Sequence, residues 1–165
     1  MNKEYWIIDD KLIFKPEFNK ELYSYYDVIS QHNTLIFSNY DNPEMAIKTN
    51  NKNTNDYRKK YKYSKFNKKI KLTGKVIYLS FSDCFNQKIE LTNNITYLNF
   101  GDCFNQKIKL TKNITYLSFG CNFNKELILA KKIKYLSFGK RFNKKIKLTN
   151  NITYLSFGNC FNQEL

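Results

Sequence analysis

The dipeptide Phe-Asn recurs six times in the second part of the chain, always 19 residues apart, with its phenylalanine at 66, 85, 104, 123, 142 and 161. The residues between these dipeptides are similar too, as in FNQKIELTNNITYLNFGDC from 85 to 103. Self-similarity at a short fixed period is typical of solenoids, in which each unit packs only against its neighbours. The repeat therefore predicts a stack of equivalent coils.

Each unit alternates apolar and polar residues twice. The alternation around Leu98 and Phe100 is the period-two pattern of a strand, and Ile108 and Leu110 alternate with lysines in a second extended segment. Nineteen residues are too few for a helix and two turns, so each coil is predicted to run strand, turn, extended segment, turn. We predict a mainly β fold, a right-handed leucine-rich-repeat-like solenoid of 19-residue coils with a parallel β-sheet face.

The repeat continues towards the N-terminus in a degraded form. Leu12–Phe14 and Leu35–Phe37 resemble the strand segments of the regular units, and Tyr61–Tyr63 precedes Phe66 at a slightly shorter spacing. Irregular spacing between these early segments indicates insertions. We predict eight coils, with strands that begin near residues 12, 35, 61, 79, 98, 117, 136 and 155.

The repeats divide the chain into two parts. Residues 1–65 are predicted to form degenerate N-terminal repeats and a cap, with a polar insertion near 47–57, and residues 66–165 to form five regular 19-residue repeats plus a truncated sixth. No polar cap follows Cys160 before the sequence ends at Leu165. Because such a last coil leaves backbone and apolar groups uncovered, we expect self-association through the uncapped C-terminal coil or fraying of it.

Three apolar columns are predicted to form the core. They are the phenylalanines of the Phe-Asn dipeptides, the leucines at 79, 98, 117, 136 and 155, and the phenylalanines at 81, 100, 119, 138 and 157. The asparagine of each dipeptide is interpreted as part of a ladder that bonds inward-facing backbone groups at the turn, since its amide supplies a donor and an acceptor. A ligand-binding role of these asparagines is the alternative.

Few residues could support catalysis. His32 is the single histidine, and the chain has no phosphate-binding glycine loop and no Cys-x-x-Cys pair. We predict that the protein is not an enzyme and has no catalytic residue, no cofactor and no metal. The cysteines are interpreted as small buried thiols, with metal binding or a disulfide as the alternative; they are Cys84, Cys103, Cys121 and Cys160.

The chain is strongly basic, with a formal net charge of +14. Most of this charge is predicted to lie outside the strands, on a lysine flank that consists of Lys68, Lys69, Lys71, Lys88, Lys107, Lys109, Lys125, Lys144, Lys145 and Lys147. A solvated face that keeps the solenoid soluble and a face that contacts phosphate groups are both open interpretations. An AT-rich genome, whose codons favour lysine and asparagine, would also raise the charge.

The outward side of the strands is predicted to be neutral and rich in tyrosine and serine. This strand face consists of Tyr78, Tyr97, Tyr116, Tyr135 and Tyr154 together with Ser80, Asn99, Ser118, Ser137 and Ser156. Tyrosine gives rigid contact area at low entropic cost, as in antibody binding loops, which favours contact with a partner. Stacking of the tyrosines along their own ladder is the alternative, and the two can hold together.

One unit carries the pattern Asn94-Ile95-Thr96-x-Leu98-x-Phe100-Gly101-x-x-Phe104-Asn105-Gln106-x-Ile108, and the following units carry its equivalents. In this pattern residues 66–165 resemble the FNIP-repeat family, leucine-rich-repeat-like solenoid proteins of giant DNA viruses and social amoebae. The resemblance implies the solenoid fold, whereas the molecular function of the family is generally unassigned.

These features predict a non-enzymatic repeat scaffold that binds a protein partner through the strand face, a host protein if the source is viral. Nonspecific nucleic-acid binding along the lysine flank is the alternative. No segment has the length and apolarity of a membrane span, and the first residues lack the pattern of a signal peptide. We therefore predict a cytoplasmic protein, in the host cytoplasm if viral, that is not secreted and has no membrane partner.

Overall fold

A computed structural model describes residues 3–48, 62 and 64–165. Its strands are β1 (Tyr5–Ile8), β2 (Lys11–Phe14), β3 (Thr34–Phe37), β4 (Tyr78–Ser80), β5 (Tyr97–Asn99), β6 (Tyr116–Ser118), β7 (Tyr135–Ser137) and β8 (Tyr154–Ser156). Its helices are a 3-10 helix (Leu22–Tyr25), α1 (Tyr26–Gln31) and α2 (Pro43–Lys48). Among the described residues, no helix has both the length and the apolar character needed to cross a membrane.

The eight strands form one sheet in chain order. Strands β2 to β8 run parallel, whereas β1 turns back antiparallel along β2. Leu79 of β4 pairs with Leu98 of β5, and each later strand pairs its equivalent leucine with the next. The prediction of a mainly β, leucine-rich-repeat-like solenoid with a parallel sheet is confirmed, while its right-handed sense stays a prediction.

Two columns of stacked phenyl rings fill the core of the regular coils. Within one coil the ring centroids of Phe81 and Phe85 lie 3.8 Å apart, and the Phe81 ring stacks on Phe100 of the next coil at 5.4 Å. The same arrangement recurs as far as Phe157 and Phe161 in the last coil. The phenylalanine and leucine columns are therefore core, as predicted, and the aromatic pairs add to the stability that their buried apolar area provides.

Phe66 belongs to the coil of β3 and not to a coil of its own. Its ring lies 3.9 Å from that of Phe37, close to the 3.8 Å between the two rings of each regular coil. The predicted strand near residue 61 falls outside the described residues except for Lys62, but β3 pairs directly with β4. The prediction of eight coils is therefore wrong, and the parallel strands define seven. The error arises because an insertion between a strand and its phenylalanine has about the length of an added coil.

The insertion leaves and re-enters its coil at Asn39. The backbone N–H of Lys62 donates to the Asn39 carbonyl at 2.7 Å, and the backbone N–H of Ser64 donates to the Asn39 Oδ1 at 3.1 Å. Helix α2 lies inside this insertion. Residues 49–61, which include most of the predicted polar segment near 47–57, lie outside the described residues.

A ladder of asparagines joins the turns of successive coils. The backbone N–H of each asparagine donates to the Oδ1 of the preceding one at 2.9–3.1 Å, from Asn19 through Asn67 to Asn162. The interpretation of these asparagines as residues that bond the backbone is confirmed. They are half-exposed or exposed, however, because the turn that they join lies at the surface and not inside the core.

A glycine column lets the coils approach closely after each strand. A Cβ atom at Gly120 would lie 2.4 Å from the carbonyl carbon of Gly101, and a Cβ at Gly101 would lie 2.4 Å from that of Ser82. Such distances are shorter than non-bonded carbon atoms tolerate, so a side chain here would push neighbouring coils apart.

The two ends of the sheet differ. At the N-terminal end β1 covers β2, and Tyr5 packs on Phe14 with ring centroids 6.0 Å apart. In the last coil Leu155, Phe157 and Phe161 are half-buried, whereas the equivalent residues of the preceding coil are buried. Self-association through this coil stays a prediction.

Candidate functional site

The five tyrosines of the strand face form one continuous stack. Adjacent ring centroids from Tyr78 to Tyr154 lie 3.8, 4.0, 4.2 and 4.3 Å apart, with interplanar angles of 12° or less. Parallel strands impose this stack because they place equivalent residues about 4.8 Å apart. The stacking interpretation is confirmed. The inner rings cover one another's faces and turn their edges and hydroxyl groups outward, while Tyr154, at the end, is 48% exposed.

Two phenol groups of the stack have raised pKa values. Burial raises the pKa of Tyr97 above its ordinary value, and the adjacent phenols of Tyr78 and Tyr116 raise it further. Burial and the neighbouring Tyr116 also raise the pKa of Tyr135. The hydroxyl groups of Tyr97 and Tyr135 are therefore neutral at physiological pH and can both donate and accept hydrogen bonds.

A second row of small polar residues runs beside the tyrosines. These residues lie two positions further along each strand and are half-buried; they are Ser80, Asn99, Ser118, Ser137 and Ser156. Within the row, the Asn99 Nδ2 donates to the Ser80 Oγ at 3.1 Å. The structure thus brings all ten residues of the strand face together on the outward side of β4 to β8. Their contact with a partner stays a prediction.

The acidic residues at the border of the strand face serve the fold. The Asp83 Oδ1 accepts the backbone N–H of Asp102 at 3.5 Å, and the Asp102 Oδ1 accepts that of Cys121 at 3.0 Å. Each carboxylate thereby holds the backbone of the following coil. The chemistry of the face itself is left to tyrosine and serine.

The strand face begins at β4. Ile13 and Ile36 share the outward row of Ser80, since the strand register aligns the three residues. They are nevertheless only 0% and 5% exposed. The sequence carries a signal of this difference, because isoleucine replaces serine in the row. The outward surface that is open to a partner therefore starts with the coil of Tyr78.

The extended segments of the lysine flank bury Ile70, Ile89 and Ile146, and the lysines of the flank are half-exposed or exposed. Counted over all sides of each coil from residue 74 onwards, however, the positive charge is not spread evenly along the solenoid. Residues 131–149, which form a single coil, hold eight cations and no acid, whereas residues 74–130 hold six cations and four acids. A comparison of equivalent positions in successive repeats does not show this concentration, whereas a count of the charges in each coil does.

The cysteines do not form a metal site among the described residues, where no group of three potential ligands occurs. Cys84 and Cys103 are half-buried, and burial raises the pKa of Cys103, with a further contribution from Cys84. Cys121 and Cys160 are exposed, so the prediction of buried thiols is wrong for them. Cys160 is exposed because it lies in the last coil, and Cys121 because it lies one position earlier in the turn, where the equivalent Asp102 and Lys140 are exposed too.

Comparison with known proteins identifies the repeats. The family model described as FNIP Repeat matches residues 85–109 and 104–141. The chain is also similar to the crystal structure of CroV588, described as a novel circular LRR protein structure, with a TM-score of 0.55 and 28% sequence identity. That match covers 98% of this chain and 36% of the other, so the chain spans about a third of the length of CroV588. A search of curated proteins finds no match.

The family match and the structural match agree with the geometry. Both point to short repeats that stack their strands into a mostly parallel sheet, as β2 to β8 do. The asparagine ladder and the stacked phenylalanines are formed by the residues that recur in every unit. Residues 85–141 match FNIP repeats, and the chain has a leucine-rich-repeat-like fold.

Proposed function

We propose that the protein is a non-enzymatic scaffold that binds a protein partner through the strand face, a host protein of the cytoplasm if the source is viral. The observation that carries this proposal is the stack of five tyrosines, in which each inner ring is held between the rings of the neighbouring coils. Side chains that are already fixed lose little rotamer freedom on binding, so less of the contact energy is offset by ordering. The repeat family and the fold, which are typical of interaction scaffolds, support the same function.

The chemistry of the strand face suits recognition of a polypeptide. The ring edges of Tyr97 and Tyr116 provide apolar contact at the centre of the sheet. Their hydroxyl groups, and that of Ser118 beside them, can each donate to a carbonyl or accept from an N–H group of a peptide. Since burial raises the pKa of Tyr97, this pattern of donors and acceptors is the same over the physiological pH range.

Blocking the strand face tests the proposal. Ser118→Trp combined with Ser137→Trp places two bulky, uncharged side chains on the face and leaves the tyrosine stack in position. The matched control is Asn93→Trp with Asn150→Trp, which adds the same side chains at two exposed turn residues. We expect a protein captured from host or source cell lysate to be lost from the face variant and retained by the control, as measured by quantitative mass spectrometry and then by titration of the purified partner.

Equal capture by the native chain and the face variant would contradict the proposal. Loss of capture in the control variant as well would mean that the added aromatic side chains, and not their position on the strand face, are responsible. Thermal unfolding of both variants shows whether the fold is intact.

Nonspecific nucleic-acid binding along the lysine flank is the alternative function. It is favoured by one observation, that no lysine of the flank forms an ion pair within the described residues. The low net charge of residues 74–130 argues against it, because a bound strand would run along these coils. Titration of an oligothymidylate at low and physiological salt decides: binding that persists at physiological salt supports this alternative, and binding that disappears excludes it.

A further inference from the structure

We propose that the coil of residues 131–149, here called the cationic coil, docks an acidic segment of the protein partner across the strand face. The inference rests on the proposed function and specifies the chemistry of the partner. Eight basic residues of this coil are exposed; they are Lys131, Lys132, Lys134, Lys140, Arg141, Lys144, Lys145 and Lys147. No acidic residue accompanies them in the coil.

From residue 74 to the last coil, the positive charge is concentrated at one level of the solenoid. The preceding coil, residues 112–130, holds two lysines and one glutamate. Residues 150–165 contain one charged side chain, Glu164. The attraction for an anion is therefore strongest at the level of the cationic coil.

These cations have no acidic partner within the described residues. The ion pairs there are formed by lysines of the N-terminal part, Lys11, Lys20, Lys62 and Lys65. In the cationic coil, Lys132 Nζ donates to the neutral Asn113 Oδ1 at 3.1 Å. Exposed charges without partners attract anions from solution and raise the rate at which an oppositely charged partner associates.

Three of the cations border the strand face. Lys134 directly precedes β7, and Lys140 and Arg141 follow it at the next turn. Lys134 and Lys140 lie six positions apart in the chain, one on each side of β7. Tyr135 and Ser137 lie between them on the outward side. A peptide that runs along β7 would therefore meet tyrosine and serine at its centre and a cation at each end.

The equivalent positions in other coils carry no such charge. Asp102 occupies the place of Lys140 two coils earlier, and threonine occupies the place of Lys134 at Thr96, Thr115 and Thr153. An acidic segment is therefore repelled near β5 and attracted near β7. This difference selects one level along a sheet whose five tyrosines are otherwise alike.

An acidic protein segment fits this arrangement better than a nucleic acid does. A nucleic-acid strand needs a continuous track of cations, and the coils on both sides of the cationic coil have almost no net charge. Seven of the eight cations are lysines, so bidentate contacts to phosphate or guanine would depend on Arg141 alone.

The test uses the full chain and two probes of matched charge, a fluorescent glutamate oligomer and a fluorescent oligothymidylate, titrated at physiological ionic strength. The test variant is Lys134→Gln with Lys140→Gln and Arg141→Gln. The matched control removes three charges elsewhere, by Lys68→Gln with Lys69→Gln and Lys71→Gln. We expect about a tenfold or greater loss of affinity for the glutamate oligomer in the test variant and less than about a twofold loss in the control.

Equal losses in the two variants, or tighter binding of the oligothymidylate than of the glutamate oligomer, would overturn the inference. The partner captured in the test of the proposed function separates the two ideas. Capture that is lost in the Ser118→Trp, Ser137→Trp variant but kept in the charge variant overturns the inference and leaves the proposed function standing. Capture kept in both variants overturns both.

Discussion

The N-terminal part of the chain and the regular coils build the same parallel sheet with different interactions. In the regular coils each contact is a copy of the one before it. The rings of Phe85 and Phe104, for example, stack with an interplanar angle of 3°, and those of Tyr97 and Tyr116 with an angle of 12°. The hydrogen bonds repeat in the same way, because the backbone N–H of each asparagine in the ladder donates to the side-chain oxygen of the asparagine one coil earlier.

The N-terminal part instead uses contacts that occur once. Tyr25 packs edge-on against Phe14 and Phe18 at 81° and 89°. Its hydroxyl donates to Glu4, and Glu4 also forms an ion pair with Lys20 at 2.8 Å. A ladder joins equivalent residues, so it can add coils to a stack but cannot cover the end of it. Covering the end requires residues with no equivalent in the repeat, such as those of this cluster and of the antiparallel β1.

The largest expected effect separates the middle of the stack from its last coil. Phe104→Ala removes a fully buried ring that is stacked on rings of the coils before and after it. We expect the free energy of unfolding to fall by about 3–5 kcal/mol, because the substitution loses apolar burial and leaves a cavity. Urea unfolding followed by circular dichroism measures this change.

Phe161→Ala is the matched control for Phe104→Ala, since the same ring is half-buried in the last coil. We expect it to lower the free energy of unfolding by less than half as much. Equal losses for the two variants would show that the last coil is as well packed as the middle ones.

The next effect tests whether close approach of the backbones holds the regular coils together. Gly120→Ala adds a Cβ that would lie 2.4 Å from the carbonyl carbon of Gly101. We expect a loss of about 1–3 kcal/mol in the free energy of unfolding, as for other substitutions that overpack a well-packed site. Gly74→Ala is the control, because its Cβ would lie 3.8 Å from its nearest neighbour, Asn94 Nδ2, and should leave stability unchanged or slightly higher. A neutral Gly120→Ala would mean that the coils can separate without loss.

The same contrast explains which features of the structure can be predicted from the sequence. In the regular coils the 19-residue period identifies the strands and their inward and outward residues, so Leu98 is assigned to the core and Tyr97 to the surface from pattern alone. The period does not apply where contacts occur once. An insertion inside the coil of β3 and an additional coil both place an apolar triplet before Phe66, and the ring contact with Phe37 is what distinguishes them.

The solvent exposure of residues at the turns cannot be predicted from the repeat pattern either. Cys103 and Cys160 occupy equivalent positions, yet the first is half-buried and the second exposed, because one has a coil on each side and the other lies in the last coil. The residues of the strand face, by contrast, follow from strand alternation, which is why all ten lie together. The repeat pattern does not predict whether these residues bind a partner, because it carries no information about the surface of another protein.

Alkaline pH should affect the tyrosine stack more than the N-terminal cluster. Burial raises the pKa of Tyr97 above the value near 10 that it has in the unfolded chain, so the folded state holds the proton more tightly. The stability that results is complete below pH 10 and is lost as the pH rises above it, by about 1 kcal/mol per pH unit. Tyr97→Phe should remove this part of the loss, as measured by urea unfolding between about pH 9 and 11.

Tyr25→Phe sharpens the comparison. Burial and the hydrogen bond to Glu4 raise the pKa of Tyr25 to about 12, so Tyr25→Phe should remove the loss due to one phenol, whereas burial raises the pKa of two phenols in the stack, Tyr97 and Tyr135. Deprotonation of lysines affects the native chain and both variants equally and cancels in the comparison. An unchanged pH profile in Tyr97→Phe would show that its phenol titrates alike in the folded and unfolded states.

The smallest expected effect has opposite signs in the two parts of the molecule. Ser38 and Ser82 occupy equivalent positions after β3 and β4, and both are buried. The Ser38 Oγ donates to the Tyr40 carbonyl at 2.9 Å and accepts the Tyr40 N–H at 2.9 Å, whereas the Ser82 Oγ has no hydrogen-bond partner within the described residues.

A buried hydroxyl without a partner lowers stability, and one with two partners raises it. Ser38→Ala should therefore lower the free energy of unfolding by about 1 kcal/mol, and Ser82→Ala should raise it by a few tenths. Thermal unfolding of the two variants side by side measures the difference, and a loss of stability in Ser82→Ala would show that its hydroxyl is bonded in solution.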